Sequence, residues 1–207
     1  MKTLKLLILI GFSLCMFSCS DDDTTTSLKD TNPIYFSFGE SLELDDELEI
    51  ENIQISFDHV SNKLRVVSQL KTDIEGSGNV SVVFDATLNL TSSSKSDDYK
   101  YTIQADSGAT YSQSLQLAAG CLNLTPDPGF GAGIVQEDIV YENFVQWDDS
   151  AAKYYISTSE LIIFMLGLVD PGFTLPPGVD PGFGQYPKIW QTSGSIKGCS
   201  ELPTLFN

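Results

Sequence analysis

Apolar and polar residues alternate along most of the stretch between Ile53 and Leu117. The longest run places Val80, Val82, Phe84, Ala86, Leu88 and Leu90 at a period of two, with Ser81, Asp85, Thr87 and Asn89 between them. A period of two describes a strand with one dry and one wet face. Val83 is the single apolar residue on the polar side of that run. Upstream, Ile53, Ile55 and Phe57 alternate in the same way, and Leu64, Val66, Ser68 and Leu70 resume after Val60-Ser61-Asn62-Lys63. This pair predicts a hairpin turning at Ser61-Asn62. Glu75-Gly76-Ser77-Gly78-Asn79 then predicts the turn into the long strand, and Ser92–Asp98 the loop after it. Tyr99, Tyr101 and Ile103 alternate again, and Asp106-Ser107-Gly108 leads into Tyr111–Leu117. Successive strands joined by short turns predict an antiparallel meander.

The second half is less regular. Asp127-Pro128-Gly129-Phe130 recurs as Asp170-Pro171-Gly172-Phe173 and as Asp180-Pro181-Gly182-Phe183. Pro sets φ at the second turn position and Gly supplies a positive φ at the third, so each copy predicts a type II turn. Unequal spacing excludes a solenoid period. Leu161–Val169 is almost wholly apolar; it predicts a strand buried on both faces, with a short core helix as the alternative. No stretch downstream of the first residues carries a helical stripe. The expected fold is all-β, an antiparallel β-sandwich, with a lipocalin-like β-barrel as the alternative.

The amino-terminal region differs from the rest. Lys2 and Lys5 precede an apolar-leaning run of 12 residues from Leu6 to Phe17. That length suits the core of a signal peptide and is well short of the roughly 20 residues that span a bilayer as a helix. The segment Met16-Phe17-Ser18-Cys19 resembles a bacterial lipobox, in which a small residue precedes the cysteine that receives lipid. Ser18 meets that requirement, whereas Cys15 follows the larger Leu14. Ser20-Asp21-Asp22-Asp23 then resembles the acidic tag of surface-exposed lipoproteins of Bacteroidota. The resemblance implies lipidation of Cys19 and a location on the outer membrane, facing outward. The expected organisation is a lipoprotein signal peptide over 1–18, a lipidated cysteine with an acidic flexible linker over 19–32, and one β domain over 33–207. An ordinary secretory signal is the alternative.

The chain holds 28 acidic and 11 basic residues, a formal charge of −17. Loss of Lys2 and Lys5 leaves nine basic against 28 acidic, hence −19. Such a chain is repelled by nucleic acid, which is not an expected partner. With Cys15 removed and Cys19 lipidated, Cys121 and Cys199 remain; an oxidising compartment favours a disulfide between them over two separate thiols.

Candidate chemistry is sparse. His59 is the one histidine, so a histidine-based nucleophile device has at most one position, and zinc sites with several His or Cys ligands are excluded by count. Gly129-Phe130-Gly131-Ala132-Gly133 lacks the glycine a dinucleotide loop needs at Ile134. Asp45-Asp46-Glu47, Asp97-Asp98 and Asp148-Asp149 are acidic clusters without the EF-hand spacing. No cofactor or metal is expected, and the chain is expected to be non-catalytic. Asp149-Ser150-Ala151 resembles the short O-glycosylation motif of Bacteroidota.

Aromatic residues carry the remaining signal. Trp147, Tyr154, Tyr155, Tyr186 and Trp190 gather in the second half. Exposed ring faces stack on sugar rings, with amides and carboxylates such as Gln185, Gln191, Asp148 and Asp149 serving the hydroxyls. The candidate ligand-binding residues are Trp147, Tyr154, Tyr186 and Trp190. The expected function is display of a module that binds an extracellular ligand, a glycan foremost. Two alternatives stay open: an accessory subunit of an envelope assembly (adhesin, pilus-like or transporter complex) docking a protein partner by its strand edges, and a carboxylate-based hydrolase.

Overall fold

The computed structural model describes residues 27–43, 48–74, 78–117, 120–127, 133–157, 161, 164 and 187–202. Cys19, Gln185, Tyr186, the turn residues Glu75-Gly76-Ser77, Asp45-Asp46-Glu47 and the three Asp-Pro-Gly-Phe copies except Asp127 lie outside them. Among the described residues no helix is long and apolar enough to cross a membrane.

After a short 3-10 turn over Leu28–Asp30, the described chain forms twelve strands. They are β1 (Ile34–Phe38), β2 (Leu42–Glu43), β3 (Leu48–Asp58), β4 (Lys63–Ile74), β5 (Gly78–Asn89) and β6 (Ser92–Lys95). There follow β7 (Tyr101–Ala105), β8 (Tyr111–Leu117), β9 (Gly120–Leu124), β10 (Ile139–Asp148), β11 (Lys153–Ser157) and β12 (Lys188–Thr192). All pair antiparallel, in the order β6-β7-β10-β11-β12-β1-β3-β4-β5-β8-β9, with β2 beside β3. The protein is all-β.

This single sheet curls so that its two wings face each other. The Phe57 ring on β3 meets Tyr101 on β7 edge-on at 5.2 Å, although four strands lie between β3 and β7 along the sheet. The layers of the expected sandwich are therefore two parts of one sheet, joined by the β1–β12 pairing of Tyr35 with Thr192 and Phe36 with Gln191. One apolar core fills the space between them, with Ile34, Ile53, Ile55, Phe57, Ile103, Phe144, Val145, Tyr154, Ile156 and Ile189 at 0 % exposure.

The hairpin expected at Ser61-Asn62 is β3–β4. Its turn is organised by Asp58, whose carboxylate accepts from Val60 N (3.0 Å), Ser61 N (2.9 Å), Ser61 Oγ (2.6 Å) and Asn32 Nδ2 (2.8 Å). Asn62 takes the left-handed conformation at φ +53°, which Asn tolerates better than most residues. Within β3 the buried positions run Ile50, Ile53, Ile55, Phe57, a step of three and then steps of two. A β-bulge absorbs the odd step. Between Glu51 and Gln54, β3 advances one residue more than β4, with Asn52 at φ +52°. The bulge keeps isoleucines on the core side of both halves of the strand.

Val83 is buried because the outer face of this wing is covered. Residues 196–202 form a strap across β3, β4, β5, β8 and β9. Lys197 N donates to Gln54 Oε1 (2.9 Å), Cys199 N to Asp85 Oδ2 (2.9 Å) and Gln116 Nε2 to the Leu202 carbonyl (3.3 Å). Val67, Val83 and Cys199 make a second small core with Ile196 and Leu202. Asp85 also receives Arg65 through both carboxylate oxygens, at 2.9 and 2.8 Å. Cys199 is joined to Cys121 on β9, 78 residues away.

Four local expectations are corrected. Ser92–Lys95, expected in a loop, is β6; hydroxyls on a polar edge strand are no obstacle to a ladder, and Ser93 Oγ bonds the His59 carbonyl and Asn62 Oδ1. Tyr99, expected in a strand, sits in the turn before β7 at φ +59°. Leu161 and Phe164, expected in a strand, are helical and buried, and a spacing of three puts both on one helical face. Residues 27–32, expected in the linker, lie against the domain: the Tyr154 hydroxyl donates to the Lys29 carbonyl at 2.9 Å.

Candidate functional site

The alternation of strand faces decides where the predicted aromatic residues go. On β10 and β11, Trp147 pairs with Tyr154 and Gln146 with Tyr155. On β11 and β12, Tyr155 pairs with Trp190 and Ile156 with Ile189. Directly paired residues share a face and neighbours alternate. Trp147, Tyr154 and Ile189 thus face inward, while Gln146, Tyr155 and Trp190 face outward.

Tyr154 is corrected from ligand contact to core. It is 0 % exposed, its hydroxyl is taken by the Lys29 carbonyl, and its ring packs edge-on against Trp147 at 4.9 Å. Burial pushes its phenol strongly upward. Trp147 is half-buried against the core, and its indole N–H donates to Asp149 Oδ1 at 2.8 Å. Trp190 stands on the other side of the sheet. No shared platform carries both tryptophans, because inward and outward positions on neighbouring strands cannot meet. Gln191 is buried too, accepting from Tyr154 N (3.1 Å) and donating to Thr31 Oγ1 (3.4 Å).

The outward face of β10, β11, β12 and β1 holds a different cluster. Trp190 and Tyr155 have ring centroids 5.6 Å apart. Lys188 reaches over both, 4.0 Å from the Tyr155 centroid and 5.3 Å from that of Trp190, and contacts Asp148 at 3.4 Å. Asp148 is held below the usual carboxylate range by the Ala151 and Ser150 amides and by Lys188. The Tyr155 hydroxyl donates to Gln146 Oε1 at 3.0 Å.

Two residues along β12 on the same face, Thr192 opens a cleft of about 600 Å3. Its walls include Tyr35, Pro33 and Leu28 as apolar surface and Lys153, Thr31 and Thr192 as polar groups. The described lining contains no Asp, Glu or His. The arrangement offers flat apolar surface beside hydrogen-bonding groups. Tyr35, Lys153, Lys188 and Tyr155 were not among the predicted site residues. Tyr155 had a local signal: with Ile156 inward, Tyr154 points inward and Tyr155 outward.

His59 lies 5.1 Å from the Tyr101 ring and 6.4 Å from that of Phe57. Burial, and then Lys95, lower its pKa below 6.5, with Asp58 opposing them. It is a packed turn residue. Among the described residues no group of three or more His, Cys, Asp or Glu is placed to hold a metal ion.

No protein-family model, curated protein or solved structure matches the chain.

Proposed function

We propose that this chain is a lipid-anchored protein of the bacterial outer membrane, displayed outward, and that its β domain binds an extracellular glycan without catalysis. The leader ending at Ser18-Cys19 and the acidic run after it support the location. The observation that carries the binding reading is the outward Tyr155–Trp190 pair beside the Tyr35 cleft. Sugar rings present apolar C–H faces that stack on aromatic rings while hydroxyls bond to flanking polar side chains. The cleft's size suits a few sugar units, since ligand sites run from about 300 to 1,000 Å3.

A glycan array followed by affinity electrophoresis tests this. Wild-type domain is expected to be retained by at least one glycan, and Trp190→Ala and Tyr35→Ala to lose that retention. Absence of retention in the wild type, or full retention in both variants, would overturn the reading.

One observation favours a second reading as an assembly subunit. Strand β9 ends the sheet, pairs only with β8 among the described strands, and exposes Leu122 at 49 %. Free edges accept added strands. Crosslinking on intact cells would then return a protein partner in fixed stoichiometry, which the glycan reading does not require.

A further inference from the structure

The inward corner at Trp147 does something the outward cleft does not. The Lys29 ammonium lies 4.3 Å from the Tyr99 ring centroid, 4.9 Å from that of Trp147 and 3.5 Å from Asp149 Oδ1. The two rings are 6.5 Å apart and inclined at 49°. Two aromatic rings and one carboxylate thus converge on a single cationic nitrogen, the arrangement by which aromatic cages recognise alkylammonium groups. We propose that Tyr99, Trp147 and Asp149 form an alkylammonium-binding site, filled here in cis by Lys29, that takes an external quaternary or methylated ammonium group when the Lys29 side chain swings out.

The corner is held in shape by groups other than Lys29. Tyr154 buttresses Trp147 from within the core, and Asp149 fixes the indole N–H. Tyr99 adopts φ +59°, a conformation rare for a bulky side chain, and its amide donates to the Ser96 carbonyl at 3.0 Å. Lys95 also reaches this ring, 4.2 Å from the centroid. Two of the few cations in a chain with 28 acidic residues therefore gather at Tyr99, which marks it as a centre of attraction for positive charge.

Lys29 is suited to leave. Its side chain is 30 % exposed and Asp149 is 89 % exposed, so the corner opens to water. Exposed ion pairs contribute little, and a lysine side chain gains rotamer freedom on release. The backbone need not move, since the Lys29 carbonyl stays with the Tyr154 hydroxyl. A quaternary ammonium sheds its hydration more readily than a primary one and is drawn to aromatic faces.

The test uses the folded domain with tetramethylammonium chloride, and in a parallel arm a neutral peptide carrying one Nε-trimethyllysine, each against sodium chloride of equal ionic strength. Trp147 indole N–H chemical shifts and fluorescence report binding. Wild type is expected to bind weakly, and Lys29→Met to bind on the order of tenfold more tightly, because the internal competitor is gone. Binding by the free ion alone assigns a small-molecule ligand; binding by the peptide as well assigns a methylated lysine side chain. Lys29→Gln serves as a second variant should Lys29→Met lose native near-ultraviolet dichroism. Adding Trp147→Phe or Asp149→Asn to Lys29→Met should weaken binding. If neither Lys29 variant, folded, binds either probe more tightly than wild type, the proposal is wrong.

Discussion

Replacing both bridge cysteines, Cys121→Ser with Cys199→Ser, should cost this domain a large share of its stability. The bridge spans a sequence separation of 78, and β10, β11 and β12 all lie inside the closed loop. In the chain-entropy treatment, a loop of that length restricts the unfolded ensemble by about 4 kcal/mol at 25 °C. Local contacts offset little of that. The strap keeps its hydrogen bonds to Gln54, Asp85 and Gln116 and its packing on Val67 and Val83, but these exist in the folded state with or without the bridge. The expected loss is therefore about 3–4 kcal/mol, large against the roughly 5–15 kcal/mol of a typical domain. Equilibrium urea unfolding of the oxidised protein and the double serine variant measures it directly. A difference under about 1 kcal/mol would refute the reasoning, because the unfolded chain would then gain little freedom from losing the bridge.

Other outcomes follow from single residues. Val83→Thr should destabilise by roughly 1–2 kcal/mol in the same assay, since its hydroxyl would be buried under the strap; a neutral effect would mean the strap does not cover that face. The His59 imidazole should titrate below 6.5 by NMR, because burial and Lys95 outweigh Asp58; its depressed folded pKa means the unfolded state gains its proton first, so stability falls as pH drops through about 6.5. A titration above 6.5 would show that Asp58 prevails. The Asp58 carboxylate is held well below its ordinary value, first by Ser61 and also by Asn32 and Val60. Its contribution is thus fully present above the unfolded value near 4 and is lost as pH falls through the folded one. Asp58→Asn should flatten the acid limb of a stability-against-pH curve, and an unchanged limb would count against the turn network.

The long central strands were legible because apolar and polar side chains alternate along them, so period two survives over Ile53–Phe57, Leu64–Leu70 and Val82–Leu90 even where the strap buries Val67 and Val83 on the outer face. Even the bulge left a trace in the three-residue step from Ile50 to Ile53. The apolar exception at Val83 was a correct local signal of a covered face, but nothing in its neighbourhood names the cover, which arrives from residues 196–202. Strand pairings such as β1 with β12 leave no local pattern, since the partners lie more than 150 residues apart. Leu161 and Phe164 sit in an almost wholly apolar run, where periodicity cannot separate a buried strand from a helix. The site was half legible. The described aromatic residues of the second half meet in two pairs on opposite faces, because the flanking Ile156 and Ile189 assign Tyr154 inward and Tyr155 and Trp190 outward, and Tyr35 comes from the opposite end of the chain.

The two tryptophans stand on opposite faces of one sheet, and each face is proposed to take its own ligand. An amide and indole NMR titration of the folded domain with a glycan retained on the array reads both at once. The Trp190 indole resonance is expected to shift with saturation while that of Trp147 stays in place. A shift of Trp147 alone, or of neither, would contradict the outward cleft as the glycan site.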